Sequence, residues 1–236
     1  MKLLAIETTE KFGSVALLDG GHVVAEMALP KDRRSSQTLH PALQTLFEKS
    51  QTAPAEIDIV AVVVGPGSFT GLRVGVTAAK VFAYTTGASV MALDTFQTVA
   101  FALSPHVGVI SVGVDAQRGE VVAAVLRQTS DGHLETFREP ELIPVAGWWQ
   151  HAEQYENVLF TGPALERWRE KVPSNLILAD ESVWFPQASA AGKLTVQRIT
   201  SGQCTTGVND DVWSLLPIYS RLSAAEEKRK ILEKPA

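Results

Sequence analysis

The chain of 236 residues has a single cysteine, Cys204, so no disulfide can form within it, which fits a reducing compartment. Long apolar runs are missing too: the stretch from Met1 to Ile6 meets Glu7 too early for a signal peptide or a membrane span, and a cytoplasmic protein is expected. Positive charge is not in excess. With 21 Lys and Arg against 26 Asp and Glu, a net charge of −5 excludes a broad basic surface that grips nucleic acid alone, so any such role needs a partner. The five histidines, His22, His40, His106, His133 and His151, include no pair four residues apart, which argues against a mononuclear metalloenzyme. Cys204 has no adjacent base to lower its pKa, and no Gly-x-Ser-x-Gly elbow exists, because Ser68 directly follows the first glycine of Gly67-Ser68-Phe69-Thr70-Gly71.

What is present centres on Gly65-Pro66-Gly67-Ser68-Phe69-Thr70-Gly71-Leu72-Arg73. It joins the apolar, β-branched run Ile57 to Val64 to a helical pattern, and so reads as buried strand, tight loop and helix start. The free amides of such a helix start can hold an anion, or the loop can simply make a sharp corner. It is not a Walker loop, since Leu72-Arg73 stands where the phosphate-binding lysine is needed. The helix, about 71 to 86, interleaves Gly75, Ala78, Ala79 and Ala83 with Leu72, Val76 and Phe82. Its small flank lets another helix approach, from this domain or from a partner.

Ahead of the loop, runs at 2–9, 13–19 and 22–29 read as an antiparallel meander turning at Asp19-Gly20-Gly21. A helix over 35–50 follows, with Leu39, Leu43, Leu46 and Phe47 at helical spacing and Ser35-Ser36 as candidate caps. After the loop helix come a strand near 89–93 and a helix capped by Asp94. Near Ser104-Pro105 the plan restarts: a strand over 107–114 ends in Asp115, and strands over 121–126 and 133–138 follow, with a turn at Asp131-Gly132. Either two hairpins copied from one plan or two unrelated meanders satisfy this pattern. Helices over 145–154, 163–171 and 186–201 and strands over 157–161 and 176–178 complete an alternating α/β chain with a mixed-sign tail.

Glu7 and Asp115 stand at equivalent places in the two hairpins and form the best catalytic-looking pair. They could hold Mg²⁺-bound water in a nucleotide cleft, or merely cap turns.

The loop with its helix, the opening Leu4-Ala5-Ile6-Glu7-Thr8-Thr9, the turn Asp115-Ala116-Gln117-Arg118-Gly119-Glu120-Val121 and the segment Pro217-Ile218-Tyr219-Ser220-Arg221 together resemble the TsaB (YeaZ-like) family. These are subunits of the bacterial machinery that makes threonylcarbamoyladenosine in tRNA. The resemblance implies an actin-like (ASKHA) α/β fold of two related lobes, each a mixed sheet flanked by helices. It places an N-terminal lobe at 1–104 and a C-terminal lobe at 105–236, whose final segment can fold back on the first. It further implies a non-catalytic subunit with no cofactor of its own, ATP or ADP and metal residing on partner subunits. The partners are a TsaD-type paralogue, which performs the transfer to the adenosine beside the anticodon, and a TsaE-type ATPase. The chain would form a homodimer when alone and reach tRNA only through the complex.

The family's helix-to-helix pairing points to Leu39, Leu43, Leu46 and Phe47, and to Leu72, Gly75, Val76, Ala79 and Phe82, as the partner interface. Gly65, Gly67, Ser68, Thr70, Gly71 and Arg73 remain the possible anion site. Two residues depart from the family pattern: Glu7 where Asp is usual, and Ser35 where a histidine commonly precedes the helix. Members are sometimes labelled peptidases, but this chain supplies no proteolytic nucleophile or metal site. The rival reading is a free-standing ATPase or small-molecule kinase of the same fold, built on Gly65, Gly67 and Glu7.

Overall fold

The computed structural model describes residues 1–103, 108–130, 132–202 and 212–221. His106, Cys204, Asp131, the expected lobe break at Ser104-Pro105 and the charged tail after Arg221 lie outside the described residues.

The apolar runs form strands in two five-stranded sheets. In the first, β1 (Lys2–Glu7), β2 (Ser14–Asp19) and β3 (His22–Ala28) make the antiparallel meander, and β4 (Ile59–Gly65) and β5 (Ser89–Asp94) add in parallel, giving the order β3-β2-β1-β4-β5. In the second, β6 (Gly108–Asp115), β7 (Glu120–Gln128) and β8 (Leu134–Pro144) repeat the meander and β9 (Leu159–Thr161) and β10 (Ile177–Leu178) the parallel edge, in the order β10-β9-β6-β7-β8. Replacing each strand of one sheet by its counterpart reproduces the other. The two hairpins therefore follow one plan, and Glu7 and Asp115 end the two equivalent strands, β1 and β6.

Period-two alternation sends each strand's side chains into different layers. Leu4, Ile6, Val15, Leu17, Val60 and Val62 face α1 (Ser35–Ser50) and α2 (Phe69–Thr86), while Leu3, Ala5, Ala16, Leu18, Ala61 and Val63 face the opposite side. There the first sheet meets α6 (Ala188–Thr200), a helix from the far end of the chain, through Ala188, Ala191 and Leu194. Its Gly192 lets Leu18 lie directly on the helix backbone. The second sheet is covered by α3 (Thr95–Ala102), a helix from the first half, whose Phe96, Val99 and Ala100 pack on Ile110, Val112, Val122 and Ala124. Each half thus lends a helix to the other's sheet, and α3 and α6 touch between them. Burying a leucine such as Leu3 or Leu18 contributes roughly 2 kcal/mol, so this exchange ties the halves together.

Caps follow chemistry more than position. Ser68 Oγ accepts from Gly71 N at the start of α2, and Asp94 Oδ1 from Gln97 N at 2.7 Å at the start of α3. The expected Ser35-Ser36 cap is not used: α1 begins after Arg34, which makes no side-chain cap. The helix expected over 145–154 shrinks to α4 (Val145–Trp148), because fully buried Trp148, anchored by Nε1 to Ser111 Oγ at 3.1 Å, pulls the chain into tight turns. The helix expected over 163–171 is α5 (Ala164–Trp168) followed by a 3₁₀ turn over Arg169–Lys171.

After α6 the described chain resumes at Val212 and runs along α2. Lys80 Nζ donates to the Trp213 carbonyl at 3.1 Å, Ile218 N donates to the Val64 carbonyl at 2.7 Å, and Arg221 pairs with Glu120 of β7. This crossing segment therefore touches both halves. No described helix is long and apolar enough to cross a membrane.

Candidate functional site

The end of β6 and the turn after β1 face a cleft of about 850 Å³ between the halves, and Glu7 itself, expected beside Asp115, is not on its lining. Its walls bring together Ser68, Thr70 and Gly71 from the glycine loop, Asp115 from β6, and the start of α5. Gly65 is not there: with Pro66 it lines a second cavity, and its φ of +119° suits the glycine at that corner. Arg73 is not there either. Its guanidinium lies 4.0 Å from the centroid of the Phe69 ring and its Nε donates to Tyr219 Oη at 3.0 Å, holding the crossing segment.

The small residues of the loop and helix serve an internal contact. A Cβ at Gly67 would strike Thr9, and one at Gly71 or Gly75 would strike Thr8, so the turn after β1 lies flat against the start of α2. Ser68 N donates to the Thr9 carbonyl at 2.6 Å, and Thr8 Oγ1 donates to the Gly71 carbonyl at 2.8 Å, closing the contact. The corner reading of the glycine loop has this packing behind it.

That turn seals Glu7. Its side chain is fully buried; Oε1 accepts from Thr9 N and, at 2.6 Å, from Thr9 Oγ1, while Oε2 has no hydrogen-bond partner among the described residues. Burial pushes the carboxyl up to about 8, against the pull of the Thr9 hydrogen bonds. Asp115, only partly buried, is instead held by Arg167 Nη1 at 3.1 Å, by Trp168 Nε1 at 3.4 Å and by the backbone of Gln117. Glu10, on the cleft wall, is pushed up to about 8 by burial and then by the charges of Glu7, Asp115 and Glu166. Lys11 crosses the cleft to Glu166 at 2.7 Å.

Sequence reasoning overlooked Glu10, Glu166 and Arg167, and also Lys31, Arg33 and Arg34, which supply a basic rim. The signal for the rim was legible: three cations in four residues just before α1. The others sit on separate elements, and only the fold assembles them.

The helix pair shows which side of the expected interface faces inward. Leu39, Leu43, Leu46, Leu72, Gly75, Val76 and Ala79 are all buried in the chain's own core, because the apolar stripe at helical spacing is the stripe that covers the first sheet. Phe47 and Phe82 lie half-buried between the helices, their rings parallel at 5.6 Å. Outward, α1 shows His40, Gln44 and Glu48, and α2 shows Thr77, Val81 (57% exposed) and Tyr84 (69% exposed), with Trp213 of the crossing segment 5.7 Å from the Tyr84 ring. His22 and His133 lie on or beside strands outside the cleft. His151 is buried near Glu141, its pKa lowered by burial and then by Arg138. No group of three or more His, Cys, Asp or Glu that could hold a metal ion occurs among the described residues.

Against known proteins, residues 20–158 match the family model described as TsaD: tRNA N6-adenosine threonylcarbamoyltransferase, which covers more than half of the chain. The chain belongs to this family. Within it the chain is TsaB/YeaZ-like. It is 29% identical over 233 residues to the tRNA threonylcarbamoyladenosine biosynthesis protein TsaB of Bacillus subtilis, covering 97% of each. To the Escherichia coli protein of the same name it is 27% identical, covering 97% of this chain and 98% of that one. In fold it is similar to a Pseudomonas aeruginosa crystal structure described as an uncharacterized protein with similarity to peptidase YeaZ. That match has a TM-score of 0.77 at 23% identity, over 93% of this chain and 99% of the other. The fold is the two-lobed actin-like α/β fold.

Proposed function

We propose that this chain acts in tRNA threonylcarbamoyladenosine biosynthesis as a non-catalytic subunit that binds and activates a TsaD-type transferase. Its lobes, 1–104 and 105–236, supply a docking surface, while the nucleotide and metal chemistry stays on the transferase and on a TsaE-type ATPase. The chain pairs with itself when alone, meets tRNA only through the complex and works in the cytoplasm. Family membership and the likeness to the two TsaB proteins over nearly the whole chain support the pathway. One observation carries the non-catalytic role: Glu7 is sealed beneath the Thr8-Thr9 turn, off the cleft lining and with Oε1 held by Thr9, while Asp115 is held by Arg167 and Trp168. A group so held makes a poor metal ligand or base, because recruiting it breaks existing bonds. The exposed Val81, Tyr84 and Trp213 support an outer face on α2 as the docking surface.

The test is reconstitution. Purified chain, transferase, ATPase and tRNA are assayed for the modification with each omitted in turn, alongside co-purification of chain and transferase. The proposal expects a complex and a modification that fails without this chain; full activity in its absence contradicts it. A second reading, a free-standing ATPase or small-molecule kinase, draws on the basic rim and the α2 N-terminus at the cleft. Calorimetry of the isolated chain with ATP and Mg²⁺ decides, since micromolar binding or turnover would favour it. A third reading, peptidase, draws no support from a metal centre, since no group of three or more His, Cys, Asp or Glu that could hold a metal ion occurs among the described residues.

A further inference from the structure

The two halves are joined through α3 and α6, and bodies packed at one joint are still able to hinge about it. The crossing segment, 212–221, adds a second tie by a separate route, and the first half carries a socket shaped for it. The pairing of β4 with β5 slips between Val63 and Gly65 and skips Val64. The carbonyl of Val64 accepts instead from Ile218 N at 2.7 Å. At the next residue a Cβ on Gly65 would strike the Ile218 carbonyl, so the crossing backbone lies directly against this glycine. The space at Gly65, expected from sequence to serve an anion, is filled by the chain itself.

Around the socket the segment is held by a few separate contacts. Val212 and Leu215 enter the core that α1 and α2 cover, Lys80 Nζ donates to the Trp213 carbonyl at 3.1 Å, and Arg73 Nε donates to Tyr219 Oη at 3.0 Å. Trp213, Leu216 and Ile218 keep half or more of their surface in solvent. On the second half the hold is narrower. Arg221 pairs with Glu120 at the start of β7, and its Nε is buried with no hydrogen-bond partner. A guanidinium drawn partly out of water depends on its carboxylate, because losing that partner leaves the charge uncompensated.

We propose that residues 212–221 form a clasp across the two halves, with Val64 and Gly65 as its socket, the Arg221 and Glu120 pair as its catch, and the closed clasp setting the width of the cleft. The clasp opens without dismantling either sheet, since much of its surface faces solvent and its catch is a single ion pair. Ser68 and Thr70 stand on one wall of the cleft, Asp115 and Glu166 on the other. Freeing the catch therefore changes the spacing of the walls and leaves each wall intact. The clasp is independent of the proposed transferase partner.

Two measurements on the full chain test it. Hydrogen exchange follows the Ile218 amide. Spin labels at Glu48→Cys on α1 and Glu170→Cys in the turn after α5, both exposed positions, report the distance between the halves in a Cys204→Ser background. With the clasp closed, the Ile218 amide should be protected and the distance distribution narrow. Arg221→Gln should speed exchange of that amide about tenfold, as for loss of one charge-assisted hydrogen bond, and should broaden the distribution or add a longer distance. Reversing the pair, Arg221→Glu with Glu120→Arg, should recover most of both. The proposal is overturned if the Ile218 amide of the wild-type chain exchanges as fast as in an unfolded chain, or if Arg221→Gln leaves the distance distribution unchanged. Should Arg221→Gln fail to fold by circular dichroism, Tyr219→Phe, which takes away the acceptor of Arg73 Nε, is measured in the same two ways and judged by the same outcomes.

Discussion

Glu7 and Asp115 end matching strands of matching sheets, but their surroundings are opposite. In the first half the turn after β1 is pressed under α2, with Gly67, Gly71 and Gly75 allowing the contact, and Glu7 is fully buried. In the second half the turn after β6 stands clear: a Cβ at Gly119 would meet nothing within 4 Å, and Asp115 reaches Arg167 at the surface. One strand plan therefore gives a sealed acid and an open one. The difference comes from how closely the neighbouring helix approaches, and it shows that equivalent positions in a duplicated fold need not share chemistry.

The sharpest way to break the comparison is to force the two turns apart from their helices. Gly71→Ala puts a Cβ into the Thr8 carbonyl and should destabilise the fold by on the order of 3 kcal/mol in urea unfolding. Gly119→Ala meets only its positive φ of +81° and should lose about 1 kcal/mol. Equal losses would mean that the first turn is not packed as described.

The acids should separate next. A carboxyl whose folded pKa is raised to about 8 keeps its proton in the folded state after the unfolded chain has released it. Stability should therefore fall as pH rises from about 4.5 to about 8. Glu7→Gln should flatten that fall and stabilise the protein by on the order of 2 kcal/mol at the upper end, with little effect near pH 4.5. Glu10 shifts in the same direction, so part of the slope should survive. Asp115→Asn should change stability by less than about 1 kcal/mol, as a partly exposed ion pair does. Thermal unfolding across the pH range measures all three.

The smallest stability effect belongs to the outer face of α2. Tyr84→Lys, at a side chain 69% exposed, should alter folding stability by no more than about 0.5 kcal/mol. The same change should weaken self-association, or pairing with the transferase, by about tenfold or more in sedimentation. A normal pairing constant would remove this face from the contact.

Much of the scaffold was legible in the chain. Alternation in the runs around Leu3 to Ile6 and Val60 to Val63, the glycine corner and the Asp94 cap each follow from local rules that need no tertiary information, whereas the hairpin pattern left a copied plan and two unrelated meanders equally open until the strand orders were known. The exchange of α3 and α6 was not legible, because it depends on contacts between residues such as Leu18 and Gly192, far apart in sequence. The site divided along the same line. Ser68, Thr70, Gly71 and Asp115 do meet in the cleft, whereas Arg73 went to Tyr219, and Glu10, Glu166 and Arg167 were found only by folding. The residues expected at the partner interface fell on the inward stripe because hydrophobic periodicity reports the core first; outward apolar residues such as Val81 and Tyr84 are isolated and leave no periodic signal.

The central claim is that this chain contributes a surface and not a reaction. Threonylcarbamoylation of tRNA by the reconstituted complex tests it when the chain carries Glu7→Gln with Asp115→Asn, or carries Tyr84→Lys. The account predicts near wild-type modification with the first and a large loss with the second, restored by raising the chain's concentration. Loss of modification with the acid variant while it still folds and co-purifies with the transferase would contradict it.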